Sequence, residues 1–300
     1  MSDHGPVEAA YLDAFTTFAE DAGVDHVVLR EPEVGGFINF GLEPHVEGHG
    51  LRSLFPSDLS GYHDGAPVSL DTARELVRAM LRDNGAWCRL EVDGRFTAHV
   101  GYDQYLYLGT SVSPDRAVAL AEESGLFPER IDRSPWAWES DDPPARPADP
   151  AFWVEVAALV AARGPLLLRE RFVGNASRWH RLTPERIDQV RTGLVPRSCV
   201  EIWPDLSTDL RRVRRQLRRA LRQGLATLVT ADDRGVLRHR LLSRRREAAA
   251  AMTAGSAALV VSGTDDGHSP LVTAVLPDAD GVLRARWTPW YEPAPAPLHR

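Results

Sequence analysis

The segment Gly85-Ala-Trp-Cys-Arg-Leu-Glu-Val-Asp-Gly-Arg-Phe-Thr-Ala-His-Val100 carries the clearest fold signal in the chain. Apolar residues at 88, 90 and 92 alternate with charged residues at 89 and 91, which is the pattern of a strand with one buried face. Asp93-Gly94 supplies the positive φ angles of a tight turn, and residues 96–100 return as a second strand. The segment therefore predicts an antiparallel hairpin.

Similar signals continue on both sides of this hairpin. In the first half we predict three helices, at 7–22, at 71–83 with a cap at Ser69 or Asp71, and from Ser113-Pro114 to Gly125. We predict further strands there at 27–29, 37–40, 105–108 and 126–131. In the second half we predict helices at 151–163, after Thr183-Pro184, from Ser207 to Gly224 and at 248–252, with strands at 165–172, 199–203, 226–230, 236–242 and 257–261 and a last hairpin turning at 278–281.

Hairpin connections favour antiparallel sheets covered by helices over a doubly wound parallel sheet. The predicted class is α+β, in two domains that each contain a mainly antiparallel sheet with helices packed on it. Both halves order their helices, glycines and hairpins in a similar way, so they are candidates for related domains. No glycine-rich phosphate loop follows a predicted strand, which removes the common nucleotide-binding signatures.

Proline and charge mark the predicted domain boundaries. Residues 141–150 contain four prolines, which restrict the backbone and remove hydrogen-bond donors, so we predict a linker there. It separates an acidic domain at 1–140 from a basic domain at 151–290, and 291–300 forms a Pro/Ala-rich tail. Residues 1–150 contain 27 Asp and Glu against 11 Arg, whereas residues 151–300 contain 15 against 24. Such asymmetry is typical of proteins that recognise a charged partner.

The second half contains a helix with two opposed faces, 210–222. At about 100° per residue, seven arginines fall within an arc of about 160°, and the apolar residues fill the opposite arc. Every basic residue of the chain is arginine, which indicates a GC-rich bacterial genome and reduces the weight of each one. Like charges four residues apart nevertheless destabilise a helix by about 0.2 to 0.5 kcal/mol per pair. We take as candidate binding residues Arg211, Arg214, Arg215, Arg218, Arg219 and Arg222.

Three interpretations of this helix compete. The arginines could be a solvated face screened by salt. Carboxylates of an acidic protein surface, in the same chain or in a partner, could pair with them, which suits the planar guanidinium group. Phosphates of a nucleic acid are the third alternative, although the chain is acidic overall and no aromatic stacking motif lies near the helix.

The loop at 43–65 raises an alternative chemistry, a metal-dependent hydrolase. His45, His49 and His63 could bind a metal, with Asp58, Asp64 or Glu47 as oxygen ligand or general base. The order His-Val-Glu-Gly-His differs from the HExxH motif, and Gly48 and Gly50 oppose the helix that this motif needs. The histidines of such a loop are otherwise solvated. We therefore assign no metal ligand and no cofactor.

Three tyrosines and Asp103 crowd together beside His99, either as a hydroxyl-lined pocket or as a tyrosine ladder on a strand. No GxSxG motif selects a catalytic serine. Cys88 and Cys199 form no CxxC pair and occupy strand-like segments, so we expect two buried thiols. The chain has no apolar run of membrane-spanning length and no secretory signal at its start. We expect a non-catalytic cytoplasmic interaction protein, with an immunity, antitoxin-like, regulatory or adaptor role.

Overall fold

The computed structural model describes residues 5–37, 50–101, 103–132, 145–252, 255–262, 269–285 and 287. These residues form seven α-helices and three mainly antiparallel sheets, which confirms the α+β class. The chain divides into two compact units. The first comprises Met1–Pro143, Phe172–Ala176 and Val195–Arg197, and the second comprises the remaining residues. The domain assignment made from the linker stays a prediction.

The first unit is one five-stranded sheet with three helices. Its elements are α1 (Pro6–Asp21), β1 (His26–Phe37), a 3-10 helix (Gly50–Ser53), β2 (Pro67–Ser69), α2 (Leu70–Leu81), β3 (Asn84–Val92), β4 (Phe96–Val100), β5 (Leu106–Thr110) and α3 (Asp115–Glu123). The strand order is β2-β1-β3-β4-β5. Ser69 caps α2 by accepting a hydrogen bond from the amide of Thr72, as one of the two predicted caps requires.

The hairpin predicted at 87–100 is confirmed. β3 and β4 pair antiparallel with Leu90 opposite Ala98, and the turn residue Gly94 has a φ of +65°. Cys88 and Leu90 are fully buried in the core beneath the helices. The opposite face of the sheet carries the alternate, charged residues of β3. That face is covered as well, since Arg89 is only 8% exposed, but the fully buried apolar residues of the hairpin lie on the helix side, and this alternation fixes the register of the hairpin.

The second unit contains two sheets and four helices. Its elements are α4 (Pro150–Arg163), β6 (Leu166–Val173), β7 (Ala176–Leu182), α5 (Ile187–Thr192), β8 (Cys199–Pro204), α6 (Leu210–Gln223), β9 (Ala226–Ala231), β10 (Leu237–Leu242), α7 (Arg245–Ala251), β11 (Ala257–Ser262) and β12 (Val272–Val275). One sheet has the order β12-β8-β6-β7 and the other β10-β9-β11.

The two sheets of the second unit pack on each other. In the four-stranded sheet, Leu168 and Ile202 belong to a core with α4 and α5. Leu167 and Trp203, on its other face, contact Val229 and other apolar residues of the three-stranded sheet, which we call the second sheet. The other face of the second sheet packs on α6 and α7. The sequence predicted one sheet per domain, and two form here because β6 and β8 are apolar on both faces and each face must be covered.

Several boundaries differ from the prediction. Residues 126–131 form no strand, because Pro128 lacks an amide donor and the Phe127 side chain is 97% exposed. The runs predicted at 27–29 and 37–40 become one strand, β1, with irregular pairing after Arg30, and residues 38–40 lie outside the described ranges. Thr183-Pro184 was predicted to cap the start of α5. The helix begins later, at Ile187, and no side chain caps it.

Other differences lie further along the second unit. Strand β7 was not predicted at all, because its sequence ASRWHRL mixes polar residues into both faces. The turn predicted near 278–281 is present, with the Gly281 amide donating to the Asp278 carbonyl, but residues 282–285 form no return strand. Of the predicted linker, residues 146–148 hydrogen-bond to Val275 of β12. The tail at 291–300 lies outside the described residues.

Candidate binding surface

Helix α6 holds the candidate arginines on a fixed support. Its first turn is capped by Asp209, whose carboxylate accepts a hydrogen bond of 3.0 Å from the Arg212 amide, rather than by Ser207 as predicted. Gly224 ends the helix with a φ of +151°, a value that favours glycine. The buried residues of α6 pack against β9, β11 and α7, and they are Val213, Leu217, Ala220 and Leu221. This packing turns the opposite face of the helix to solvent.

All seven arginines of that face are exposed, and we call them the arginine face: Arg211, Arg212, Arg214, Arg215, Arg218, Arg219 and Arg222. Among the residues that the structure describes, none forms an ion pair with six of them, Arg219 excepted. Over the twelve residues from Arg211 to Arg222 the face extends about 16 Å along the helix axis. The structure thus brings the predicted binding residues together on one exposed surface.

Neighbouring elements add to this positive charge. Arg238 and Arg240 of β10 are exposed, and strand alternation places them on the same sheet face as Leu242, which packs with α6 and α7. Residues 205–252 contain thirteen arginines against five Asp and Glu. The positive potential therefore spreads beyond α6, over a face of the second sheet that the prediction did not include.

The described part of the histidine loop is committed to other contacts. Asp64 is buried, and its carboxylate accepts hydrogen bonds from Arg30 Nη1 (2.9 Å), Arg197 Nη1 (3.1 Å) and the Glu31 amide (2.8 Å). The ring Nδ1 of His63 lies 2.9 Å from the backbone oxygen of Asp64. These contacts occupy Asp64, one of the three alternative oxygen ligands of the metal hypothesis.

The remaining candidates of this loop give no metal site in the described ranges. Asp58 accepts hydrogen bonds from the amide and the hydroxyl of Ser60, at 3.1 and 2.8 Å. His45, His49 and Glu47 lie outside the described residues. Within the described part of the chain, no group of three His, Cys, Asp or Glu side chains is arranged to hold a metal ion. The hydrolase alternative thus gains no support from the described residues.

The tyrosine segment places His99 in a buried stack. Its ring lies on the Tyr107 ring with centroids 5.1 Å apart, and the Tyr107 hydroxyl donates to Asp103 at 2.7 Å. Burial, together with the nearby positive charge of Arg89, lowers the pKa of His99 to about 4. His99 is therefore neutral near pH 7. Of the three tyrosines, Tyr105 is largely exposed and Tyr102 lies outside the described residues.

Sequence reasoning missed a second charged cluster, on β6 and β8. Arg169 and Arg171 share the buried carboxylate of Glu201, with Nη1 to oxygen distances of 3.5 and 3.3 Å. The available signal was the Leu-Leu-Leu-Arg-Glu-Arg-Phe run at 166–172, in which charges enter both faces of an otherwise apolar strand. Charge on the covered faces of a strand requires partners inside the fold.

Comparison with known proteins gives no further guide to this surface. No family model, no curated protein and no solved structure matches the chain. Among the described residues, every helix is too short or too polar to cross a lipid bilayer.

Proposed function

We propose that this protein is a non-catalytic interaction protein, and that it recognises an acidic partner protein through the arginine face. The observation that carries the proposal is a row of exposed arginines on a helix whose other face is anchored in a core, and six of them, all but Arg219, form no ion pair with the described residues. Like charges at this spacing oppose helix formation. Carboxylates supplied by a partner offset this repulsion between the arginine side chains.

Carboxylates of a partner protein suit the arginine face better than dissolved counter-ions do. Guanidinium groups pair with carboxylates through two parallel hydrogen bonds, so a row of them selects a partner by geometry as well as by charge. Because α6 is held by Val213, Leu217 and Leu221, its arginines are presented from a rigid element, and little backbone order is lost on binding. The roles that fit are those of an immunity protein, an antitoxin-like protein, a regulator or an adaptor.

The proposal includes a cytoplasmic location. Cys88 and Cys199 are free thiols and both are buried, as the sequence predicted. Free cysteines are typical of reducing compartments. This supports the proposed location, which an expression experiment with fractionation can check directly.

The decisive experiment uses the full-length protein with the quadruple variant Arg211→Gln, Arg214→Gln, Arg218→Gln and Arg222→Gln. Binding to fluorescent poly-L-glutamate is measured by anisotropy as a function of salt. With about 0.5 kcal/mol for each exposed pair, four lost pairs weaken binding by about 2 kcal/mol, or about 30-fold. A matched control removes four exposed arginines elsewhere, Arg130, Arg163, Arg186 and Arg234, and so changes the net charge equally.

The control variant should bind nearly as well as the unmodified protein. If both variants lose affinity equally, only net charge matters and the proposed face is wrong. A parallel titration with single-stranded DNA tests the nucleic-acid alternative, because phosphate contacts make the affinity fall steeply with salt. Tighter binding of DNA than of poly-L-glutamate, lost in the quadruple variant, would replace the acidic protein by a nucleic acid.

A further inference from the structure

Strand β5 forms one edge of the five-stranded sheet and pairs with β4 on its inner side. Opposite residues of an antiparallel pair alternate between those that exchange backbone hydrogen bonds and those that do not. The Gly101 amide donates to the Tyr105 carbonyl, and at the other end the Ser111 amide donates to β4. The odd-numbered residues of β5 therefore bond to β4, and the even-numbered residues direct their N–H and C=O groups away from the sheet.

The outward-facing backbone groups belong to Leu106, Leu108 and Thr110. Within the described part of the chain, no hydrogen bond reaches these N–H and C=O groups from the outer side. All five residues of β5 are partly exposed, as expected for an uncovered edge. Such a row of unpaired donors and acceptors is a template for pairing with a further strand.

The other five sheet edges in the described ranges carry features that oppose such pairing. β2 has only three residues and begins with Pro67, and β7 and β10 are rich in arginine. β12 hydrogen-bonds to residues 146–148, and β11 hydrogen-bonds to Ser207. β5 has none of these protections, because its sequence Leu-Tyr-Leu-Gly-Thr contains no charge and no proline. Natural sheets protect their edges, so an unprotected one indicates an edge that is used for pairing.

We propose that β5 is a dimerisation edge, at which the β5 strands of two copies of this chain pair antiparallel about a two-fold axis at Leu108. This register sets Leu108 opposite Leu108, and Leu106 opposite Thr110 of the second copy. Each of the three outward residues in each copy then donates once and accepts once, which gives six backbone hydrogen bonds. The two five-stranded sheets join into one continuous sheet, and the two-fold axis closes the assembly as a dimer.

The sequence of β5 is complementary to itself in this register. Opposite residues that exchange no hydrogen bonds bring their side chains closest, and here they are Tyr107 of one copy and Gly109 of the other. Gly109 has no side chain to meet the aromatic ring, and aromatic residues are favourable cross-strand partners of edge glycines. A second copy necessarily carries this alternation, so it suits the edge better than an unrelated peptide does.

Exposed apolar side chains flank the edge at both ends. Tyr105 is 63% exposed just before β5, and Val112 is 42% exposed shortly after it. In the proposed register each of them lies beside the end of the second copy's strand, so dimerisation removes apolar surface from water there. The interface is small, which predicts a weak and reversible dimer. It is independent of the arginine face, because it uses backbone groups of the first unit.

Sedimentation velocity of the full-length protein between about 1 and 200 µM tests the dimer. We expect a reversible monomer–dimer equilibrium with a Kd in this range. A chain that stays monomeric at every concentration would overturn the proposal and leave the edge to an extended peptide of another protein. The quadruple α6 variant should dimerise like the unmodified protein, and loss of its dimer would assign the contact to the arginine face instead.

Thr110→Pro, compared with Thr110→Ala, isolates the outward N–H group. Both variants lose the Thr110 hydroxyl, which accepts from the Val112 amide at 3.2 Å, but only proline lacks the N–H. Proline is tolerated on an edge strand where this group faces solvent. Because the two-fold axis repeats each contact, Thr110→Pro removes two of the six hydrogen bonds and should raise the Kd about 30-fold. Equal Kd values for the two variants would overturn the proposal.

Spin labels test the register without changing the strand itself. Labels are placed at Tyr105→Cys or Val112→Cys in separate proteins, and the buried Cys88 and Cys199 do not compete. The two copies of residue 105 should lie about 20 Å apart along the paired strands, and those of residue 112 about 27 Å apart. Pulsed electron paramagnetic resonance measures both distances. A dimer without these distances, or with the shorter one at residue 112, would place the contact elsewhere and refute the proposal.

Discussion

Arg215 has the densest like-charge surroundings on the arginine face, and we expect its replacement by glutamine to stabilise the protein. Its neighbours three and four residues away on both sides are all arginines: Arg211, Arg212, Arg218 and Arg219. Glutamine has nearly the same helix propensity as arginine, so the change isolates the charge. Each like-charge pair costs about 0.2 to 0.5 kcal/mol, and four pairs together cost about 1 to 2 kcal/mol.

The assay is thermal unfolding at low and at high salt. At low salt, a gain of about 1 kcal/mol corresponds to about 3 °C in the melting temperature for a unit of this size. At about 1 M salt the Debye length is about 3 Å, so most of the gain should vanish. Arg215→Glu should stabilise the protein more than Arg215→Gln, because it converts four repulsions into attractions.

Arg163→Gln serves as the control for this prediction. Its neighbours three and four residues away in α4 are apolar, so no repulsion is relieved and no gain is expected. An unchanged melting temperature for Arg215→Gln at low salt would refute the reasoning, because the face would then be compensated by groups already in the chain. An equal gain at both salt concentrations would attribute the effect to packing instead of charge.

Two further predictions concern buried titratable groups. The pKa of His99, about 4 in the folded state, lies below the value of about 6.5 expected in the unfolded chain, so the unfolded state binds more protons between these values. The free energy of unfolding should therefore decrease as the pH falls from 6.5 to 4. In urea unfolding, the His99→Gln variant should show a smaller decrease over this pH range. An equal decrease would mean that other groups dominate. Burial raises the pKa of the Cys88 and Cys199 thiols to about 12, so neither should react with a thiol reagent at pH 8 until the protein unfolds. Rapid labelling of the native protein would contradict this burial.

Local signals in the sequence were sufficient for much of the fold. The Asp-Gly turn after Val92 and the alternation in 87–92 predicted the first hairpin, and the spacing of Val213 and Leu217 predicted which face of α6 is buried. These features depend on neighbours a few residues away, which a pattern can detect. The candidate binding residues were found for the same reason, since all of them lie on one helix.

Contacts between distant residues were not predictable in this way. Arg197 pairs with Asp64 across 133 positions, and no local pattern connects them. The second sheet of the basic half was missed because the three leucines at 166–168 indicate burial on both faces without indicating what covers each face. Strand β7 was missed because its alternation is polar on both sides, and only its position next to β6 makes it a strand.

The chain order of the first unit has a consequence for protein synthesis. Phe172 and Val173 fill its core, and Arg197 completes the contacts of Asp64, yet all three follow residue 143 by a long stretch. At about 5 to 20 residues per second, a ribosome needs roughly 3 to 10 s to pass from residue 143 to residue 197. During that interval the nascent first unit lacks part of its interior, and apolar surface exposed in this way is prone to aggregation.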